Sequence, residues 1–511
     1  MSPLVVRRLI LGVAAGLLLV STLTPALRPS RALAAPDSDL ARRPWSEDVV
    51  YLIMIDRFNN GDKSLDKDAE PNSSTGVHGG DLQGVIDKLD YLQKLGVTAI
   101  WLTPVVQNQK GGYHGYWTTD FYQVDERLGS MATLQKLVQE AHRRQMKVLL
   151  DVVVNHTAPT HPWINDPAKY DWFHHAGGIT NWNNQASIEN GQLAGLPDLA
   201  QENPAVEKYL LDMSRWWIEQ TNVDGFRLDT VRHVPAGFWE KFAKQMHETR
   251  PGFFLMGEAW NSDLNYLKKY LDTGLDSLVD FARFDPVQDV FARGADPSVL
   301  HATIARQALA TPGTVWGTFI DNHDVPRFVT GAAPGGANKL KLALTYLLTT
   351  PGMPILYYGT EVALEGGDDP DNRRDMKFDK NPDMQAFTAQ LIKLRRENPA
   401  FTHGTYTPVT PNPKVVAYFR EYQGQRYLVA LNNSNQQQRL ELSGYMKPHD
   451  TLKNELGSQT GEQSRQTVLL EPWTAYIYTV SASRMPLYAG AAAAAAVLGG
   501  VLLWMWRRPK L

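Results

Sequence analysis

Two hydrophobic periods alternate along most of this chain. Residues 50–55 (VYLIMI) form an unbroken apolar run, the pattern of a strand buried on both faces. Leu82, Val85, Ile86, Leu89, Leu92 and Leu95 then recur at spacings of three and four, which predicts a helix. Apolar runs at 98–102 and 148–154 flank a second helical stretch, 131–145. Residues 155–203 break the rhythm; they are rich in Asn, Pro, Trp and His and weak in periodicity. Alternation then resumes. Helices are expected at 204–221, 236–248 and 262–271, and strands at 223–229, 252–257, 275–281, 314–320 and 354–358.

Eight strand–helix units with apolar strands predict a parallel sheet covered on both faces. Eight units in roughly 350 residues fit a closed (β/α)8 TIM barrel, an α/β fold. The expected barrel spans 36–154 and 204–400, with an inserted domain B at 155–203, after strand three. A doubly wound sheet is the competing topology, but no glycine-rich phosphate loop opens its first crossover. From about residue 402 short alternating segments separated by Gly, Pro and Asn predict an antiparallel β-sandwich over 402–482.

Both ends are apolar. Arg7 and Arg8 precede an apolar run at 9–20, and a small-x-small cleavage pattern ends at Ala34 and Ala35. That predicts a signal peptide over 1–35. Residues 487–506 are uncharged and precede Arg507, Arg508 and Lys510, with Trp504 and Trp506 near the boundary, which predicts a transmembrane helix. The expected location is the extracellular face of the cell membrane, held by that C-terminal helix.

Composition narrows the chemistry. The net charge of -3 offers no basic face for nucleic acid. The absence of cysteine excludes disulfides, a thiol nucleophile and thiolate metal sites. No obligate protein partner is indicated.

In such a barrel, function sits at the C-terminal ends of the strands. Strand four ends in GFRLD (225–229), strand five in GEAW (257–260) and strand seven in DNHD (321–324). Three carboxylates, Asp229, Glu258 and Asp324, thus converge with Arg227 on one rim. Arg227 and Asp229 are two apart on a strand and share a face. The guanidinium favours an ionised Asp229, a nucleophile, while neighbouring negative charge favours a protonated Glu258, a general acid. That division of labour is the one a retaining glycosidase requires. Asp324 suits gripping sugar hydroxyls.

The motifs DVVVNH (151–156), LPDL (196–199), GFRLDTVRH (225–233), GEAW (257–260) and FIDNHD (319–324) occur in order. With them, residues 45–480 resemble the α-amylase family of glycoside hydrolases. The resemblance implies retaining endo-hydrolysis of α-1,4-glucosidic bonds in starch, glycogen and maltodextrins. Asp229 would be the nucleophile, Glu258 the acid/base and Asp324 the transition-state stabiliser. It places substrate contacts at His114, Tyr116, His156, Arg227, His233, His323, Asp369 and Arg373. Arg232 stands where many members have lysine. It also implies calcium: one site on Asn155, Asp198 and the His233 carbonyl, and a second on Asn60, Asp62, Asp66, Gly79 and Asp81. The competing activities are a 4-α-glucanotransferase or a cyclodextrin- or maltogenic-type enzyme. The competing class is an inactive, amylase-like surface receptor. The three retained carboxylates speak against that class, and the missing starch-binding domains against a cyclodextrin-forming enzyme. His161, His174 and His175 show no carboxylate partner at ligand spacing and receive no role.

Overall fold

The computed structural model describes residues 38–410, 412–447, 450–457, 463–464 and 466–481. Eight parallel strands form the core: β1 (Val50–Ile53), β2 (Ala99–Leu102), β3 (Lys147–Val152), β4 (Gly225–Leu228), β5 (Phe254–Gly257), β6 (Ser277–Leu278), β7 (Gly317–Thr318) and β8 (Met353–Tyr357). They pair in the order β6-β5-β4-β3-β2-β1-β8-β7. A parallel bridge between Val279 and Gly317 joins the two ends, so the sheet closes into a barrel. Every residue of β1, β2, β4, β5 and β8 is buried, as strands walled by helices outside and packed side chains inside must be.

The helix expected across 82–95 is two helices, Leu82–Asp87 and Leu89–Leu95, meeting at a non-helical Lys88. Their apolar faces still point inward, with Leu82, Val85, Leu89, Leu92 and Leu95 all buried. Residues 155–203 hold only short helical turns and bridges. This stretch returns to the barrel beside β3, where Leu199 N–H donates to the Asn155 carbonyl at 2.8 Å.

The C-terminal region has two antiparallel sheets. One holds β9 (Thr405–Val409), β10 (Val415–Tyr422), β11 (Gln425–Asn432), β13 (Thr451–Asn454) and β16 (Ala475–Ser481). The other holds β12 (Gln438–Glu441), β14 (Gln463–Ser464) and β15 (Thr467–Leu470). β10 shows how the larger sheet serves two masters. Val415, Ala417 and Phe419 face the core between the sheets, while Val416 and Tyr418 join the barrel's core.

One expectation is corrected. No helix among the described residues is long and apolar enough to cross a membrane. The stretch expected to do so, 487–506, lies outside the described residues, as does the expected signal at 1–35. The architecture is therefore a barrel with a C-terminal antiparallel sheet domain, and membrane anchoring at an outer cell face is withdrawn. An apolar window in the sequence satisfies a length criterion; it does not by itself establish a spanning helix.

Candidate active site

The strand ends converge on one cation. Arg227, on β4, is 1% exposed. Its Nη1 lies 2.7 Å from Asp229 Oδ1 and 2.9 Å from Asp151 Oδ1, and its Nη2 lies 2.7 Å from Glu258 Oε1. One guanidinium thus ties the ends of β3, β4 and β5. The guanidinium also sits 5.0 Å from the Trp101 ring, on β2. Main-chain bonds fix the carboxylates' backbones: Asp229 N–H donates to Val152 and Glu258 N–H to Leu228.

Thr230 follows Asp229 with φ +48, a region β-branched residues rarely occupy. The twist aims its N–H at Glu258 Oε2, 3.2 Å away. Strain of this sort, held by its surroundings, is typical of functional positions.

Glu258 is pushed up to about 8. Burial is the main cause; Arg227 opposes it, and the charges of Asp229 and Asp324 add to it. Its carboxyl is protonated at neutral pH. Asp151 is raised to about 7, again by burial first, with Arg227 opposing. Burial likewise raises Asp324. It accepts from Arg373 Nη2 at 3.4 Å, and Arg373 also pairs with Asp369 at 3.0 Å.

Three neutral histidines complete the floor. Burial lowers His114 to about 3, His156 below its usual value and His323 well below it. Tyr116 lies between them. Its ring stacks on His323 at 5.5 Å, and its hydroxyl reaches both Asp151 (2.8 Å) and His323 Nε2 (2.8 Å). The loop carrying His114 and Tyr116 springs from the hairpin Val106–Asn108 and Thr118–Val124. It turns at Gly115, with φ +91, where a Cβ would sit 2.4 Å from the Pro104 carbonyl; no other residue fits.

These groups line an open cleft of about 730 Å³, within the size range of ligand sites. His114, Tyr116, His156, Asp229, Arg232, His233, Glu258, His323, Asp324, Asp369 and Arg373 all border it, and Arg227 lies just beneath. Every residue expected at the catalytic and sugar-binding positions therefore comes to one place. Trp182 (53% exposed) and Trp260 (49% exposed) stand on its rim. Arg232 Nη1 donates to the Trp260 carbonyl at 2.6 Å, and its guanidinium lies 5.7 Å from the Trp182 ring. Three other insertion aromatics turn inward instead: Trp163 and Trp172 pack at 4.8 Å, and Phe173 is buried.

Some participants had no expected role. Asp151 is a third carboxylate on Arg227, beside Asp229 and Glu258. Asn372 donates to the carbonyls of His323 and Val325, at 2.9 and 3.0 Å, and so shapes the Asp324 loop. His174, left without a partner by local spacing, contacts Asp198 (2.7 Å) and Glu202 (2.8 Å) from far along the chain.

Among the described residues, no group of three or more His, Cys, Asp or Glu side chains could hold a metal ion. Sites built mainly from amide and carbonyl oxygens need no such group. Asn155 Oδ1 and Asp198 Oδ1 are buried and have no hydrogen-bond partner, the state of oxygens that face a cation. The other expected set fits less well. Asn60 Oδ1 is likewise buried without a partner, but Asn60 donates its amide to both Asp66 oxygens beside Gly79. Asp62 is engaged by Ser64. Asp81 accepts from Gly84, Gly61 and Asp62 N–H groups as the N-cap of helix Leu82–Asp87.

A closed barrel with carboxylates gathered on a rim arginine has the parts of a glycoside hydrolase site. The chain belongs to the α-amylase family: "Alpha amylase, catalytic domain" matches residues 52–402, and "Maltogenic Amylase, C-terminal domain" matches 409–477. The "Beta/alpha-amylase" of Paenibacillus polymyxa is 39% identical over 462 residues, covering 85% of this chain. The chain spans only 38% of that relative's length. A cyclomaltodextrinase of Thermoanaerobacter pseudethanolicus is 34% identical, covering 85% of this chain and 78% of its own. Of solved structures, an Anoxybacillus α-amylase matches with TM-score 0.84 and 43% identity, over 86% of this chain and 99% of that one. A cyclomaltodextrin glucanotransferase with a three-domain ABC distribution matches with TM-score 0.76 and 31% identity, over 84% and 99%.

Proposed function

We propose that the chain hydrolyses internal α-1,4-glucosidic bonds of starch, glycogen and maltodextrins with retention of configuration. The observation that carries this is the sharing of Arg227 between Asp229 and Glu258, with Glu258 raised by burial to hold a proton. Hanging both carboxyls on one planar fork keeps them close. That favours the roughly 5–5.5 Å separation of a retaining pair over the roughly 6.5–9.5 Å of an inverting one.

In the first step Glu258 gives its proton to the glycosidic oxygen as the C1–O bond breaks. Asp229 forms the new bond to C1, and the leaving chain departs as an alcohol. In the second, Glu258 takes a proton from water, the water oxygen bonds to C1, and Asp229 leaves as carboxylate. Asp324 and its partner Arg373 support the sugar ring, whose charge peaks at the oxocarbenium-like transition state. The neutral histidines offer hydrogen bonds to hydroxyls without adding charge.

The second reading is transfer of the glycosyl group to a sugar hydroxyl. A single C-terminal domain does not argue against it, because the similar three-domain structure is a glucanotransferase. Time-resolved product analysis on maltoheptaose and soluble starch separates the two. Hydrolysis yields only shorter chains and a rapid fall in starch iodine staining. Abundant products longer than maltoheptaose would replace this reading with transfer.

Calcium would be held by Asn155 Oδ1 and Asp198 Oδ1, both buried without a partner, and, as the family resemblance implies, by the His233 carbonyl. It would supply positive charge that fixes these oxygens, and so the adjoining cleft wall. An ion that binds only the native state adds about 2.7 kcal/mol at a hundred times its Kd. A chelator should lower the melting temperature of the wild type but not of Asp198→Asn. An unchanged wild-type melt would count against the site.

A further inference from the structure

Away from the catalytic cleft, a second open cavity of about 370 Å³ lies where the barrel meets the C-terminal domain. Asn338 and Lys341 of helix Gly336–Thr349 and Phe387 of helix Pro382–Glu397 form one wall; Asn454, Trp473 and Tyr476 form the other. Trp473 is the unusual member. It sits in the turn between β15 and β16 with φ +52, a conformation bulky residues rarely adopt. Glycine or asparagine would take that φ with little strain, yet the position holds the largest side chain. Its surroundings hold it there. The Trp473 N–H donates to the Ser434 carbonyl at 3.1 Å, and the Lys339 ammonium lies 5.7 Å from its ring. The indole is only half-buried and faces the cavity. Phe387 is half-buried too, with the Lys341 ammonium 5.5 Å from its ring.

The chemistry of this lining is specific. Aromatic faces cover apolar C–H surface, and amide and ammonium groups beside them hydrogen-bond hydroxyls. A pyranose ring offers that combination: an apolar face with a rim of hydroxyls. Of the two ammonium groups nearby, Lys339 donates to the Ala292 and Ala332 carbonyls, and only Lys341 lines the cavity, too little charge for an anionic ligand. Backbone strain kept at one aromatic residue points the same way, since such strain persists where function uses it.

We propose that this cavity is a second α-glucan-binding site, which holds the polymer on the enzyme away from the cleavage point. The proposal rests on the α-glucan reading of the cleft. The test is affinity electrophoresis of the full chain in gels containing amylopectin, with maltoheptaose cleavage measured in parallel. Trp473→Ala, and separately the exposed-side double variant Asn338→Ala/Lys341→Ala, should weaken retardation by about threefold to tenfold, the scale of one aromatic contact. Maltoheptaose turnover should stay within about twofold, because neither variant touches the cleft. Equal retardation of wild type and the double variant overturns the site, even if Trp473→Ala misfolds. If the wild type fails to cleave maltoheptaose, the reading of the cleft falls; retardation still decides the cavity.

Discussion

Buried arginines anchor both ends of the barrel, and their partners differ in kind. At the rim, Arg227 is surrounded by Asp151, Asp229 and Glu258. At the base, Arg395 is 0% exposed, and its partners are main-chain carbonyls. Its Nη1 donates to Leu348, Thr350 and Phe401, each at 3.2 Å, and its Nη2 to Ser46 (3.1 Å) and Gly352 (2.5 Å). Arg420, on β10, adds Thr349 at 2.7 Å and Gly404 at 2.9 Å. Leu348 and Thr349 close helix Gly336–Thr349, whose last carbonyls have no partner within the helix. The base arginines cap that helix and staple the C-terminal sheet to it. Burial pushes both guanidinium pKa values down, with no carboxylate partner to offset it. A cation among carbonyls stabilises a joint. A cation among carboxylates instead gathers several acids at one point, which stability alone does not require.

The contrast predicts opposite failures. Asp229→Asn at the rim should lower kcat by about four orders of magnitude or more, as loss of a nucleophile does elsewhere. Its melting temperature should stay within a few degrees of wild type. Steady-state kinetics and a thermal melt check both halves, and retained activity would reject Asp229 as nucleophile.

Arg395→Met should do the reverse. It leaves three buried and two part-buried carbonyls short of a donor, at about 1–3 kcal/mol for each buried group left fully unsatisfied, so a loss of at least about 3 kcal/mol is expected. Urea unfolding measures that loss, and kcat of the folded fraction should be near wild type. A stable but inactive Arg395→Met would erase the distinction between base and rim.

The same contrast explains what could be read from the sequence. The rim was legible because its residues sit at strand ends, and strands announce themselves as apolar runs. Asp229 and Glu258 needed no more than that. The base was not legible. Arg395 and Arg420 lie 25 residues apart on a helix and a strand, and their carbonyl partners carry no side-chain signature. Asp151 opens a recognisable motif, but its role depends on Arg227 crossing from β4, which only the register reveals. The sixth and seventh strands were expected at seven residues each and hold two. Apolar runs mark burial, and burial continues past the last paired residue. Trp473 shows the same limit: nothing in a sequence marks a positive φ at tryptophan.

The smallest effect to test is proton linkage at the rim. Glu258 must carry its proton to act as acid, so kcat/KM should fall as pH rises through about 8, by about tenfold per unit on the alkaline limb. Stability follows the same sign. A carboxyl whose folded pKa is raised contributes stability fully below its unfolded value of 4.5, and loses it as pH rises through about 8. Asp151, raised from 3.8 to about 7, adds the same trend. The base cannot supply this loss: Arg395, pushed down to about 9, titrates only at the top of the range and with the opposite sign. The wild type should therefore unfold at lower urea at pH 9 than at pH 6. Glu258→Gln should lose part of that difference, while Arg395→Met should keep it in full on a lower baseline. A flat kcat/KM profile from pH 6 to 9.5 would mean that Glu258 is not the group whose proton limits the rate. An equal pH dependence in Glu258→Gln would move the linkage to Asp151 and leave Glu258 ionised in the folded protein.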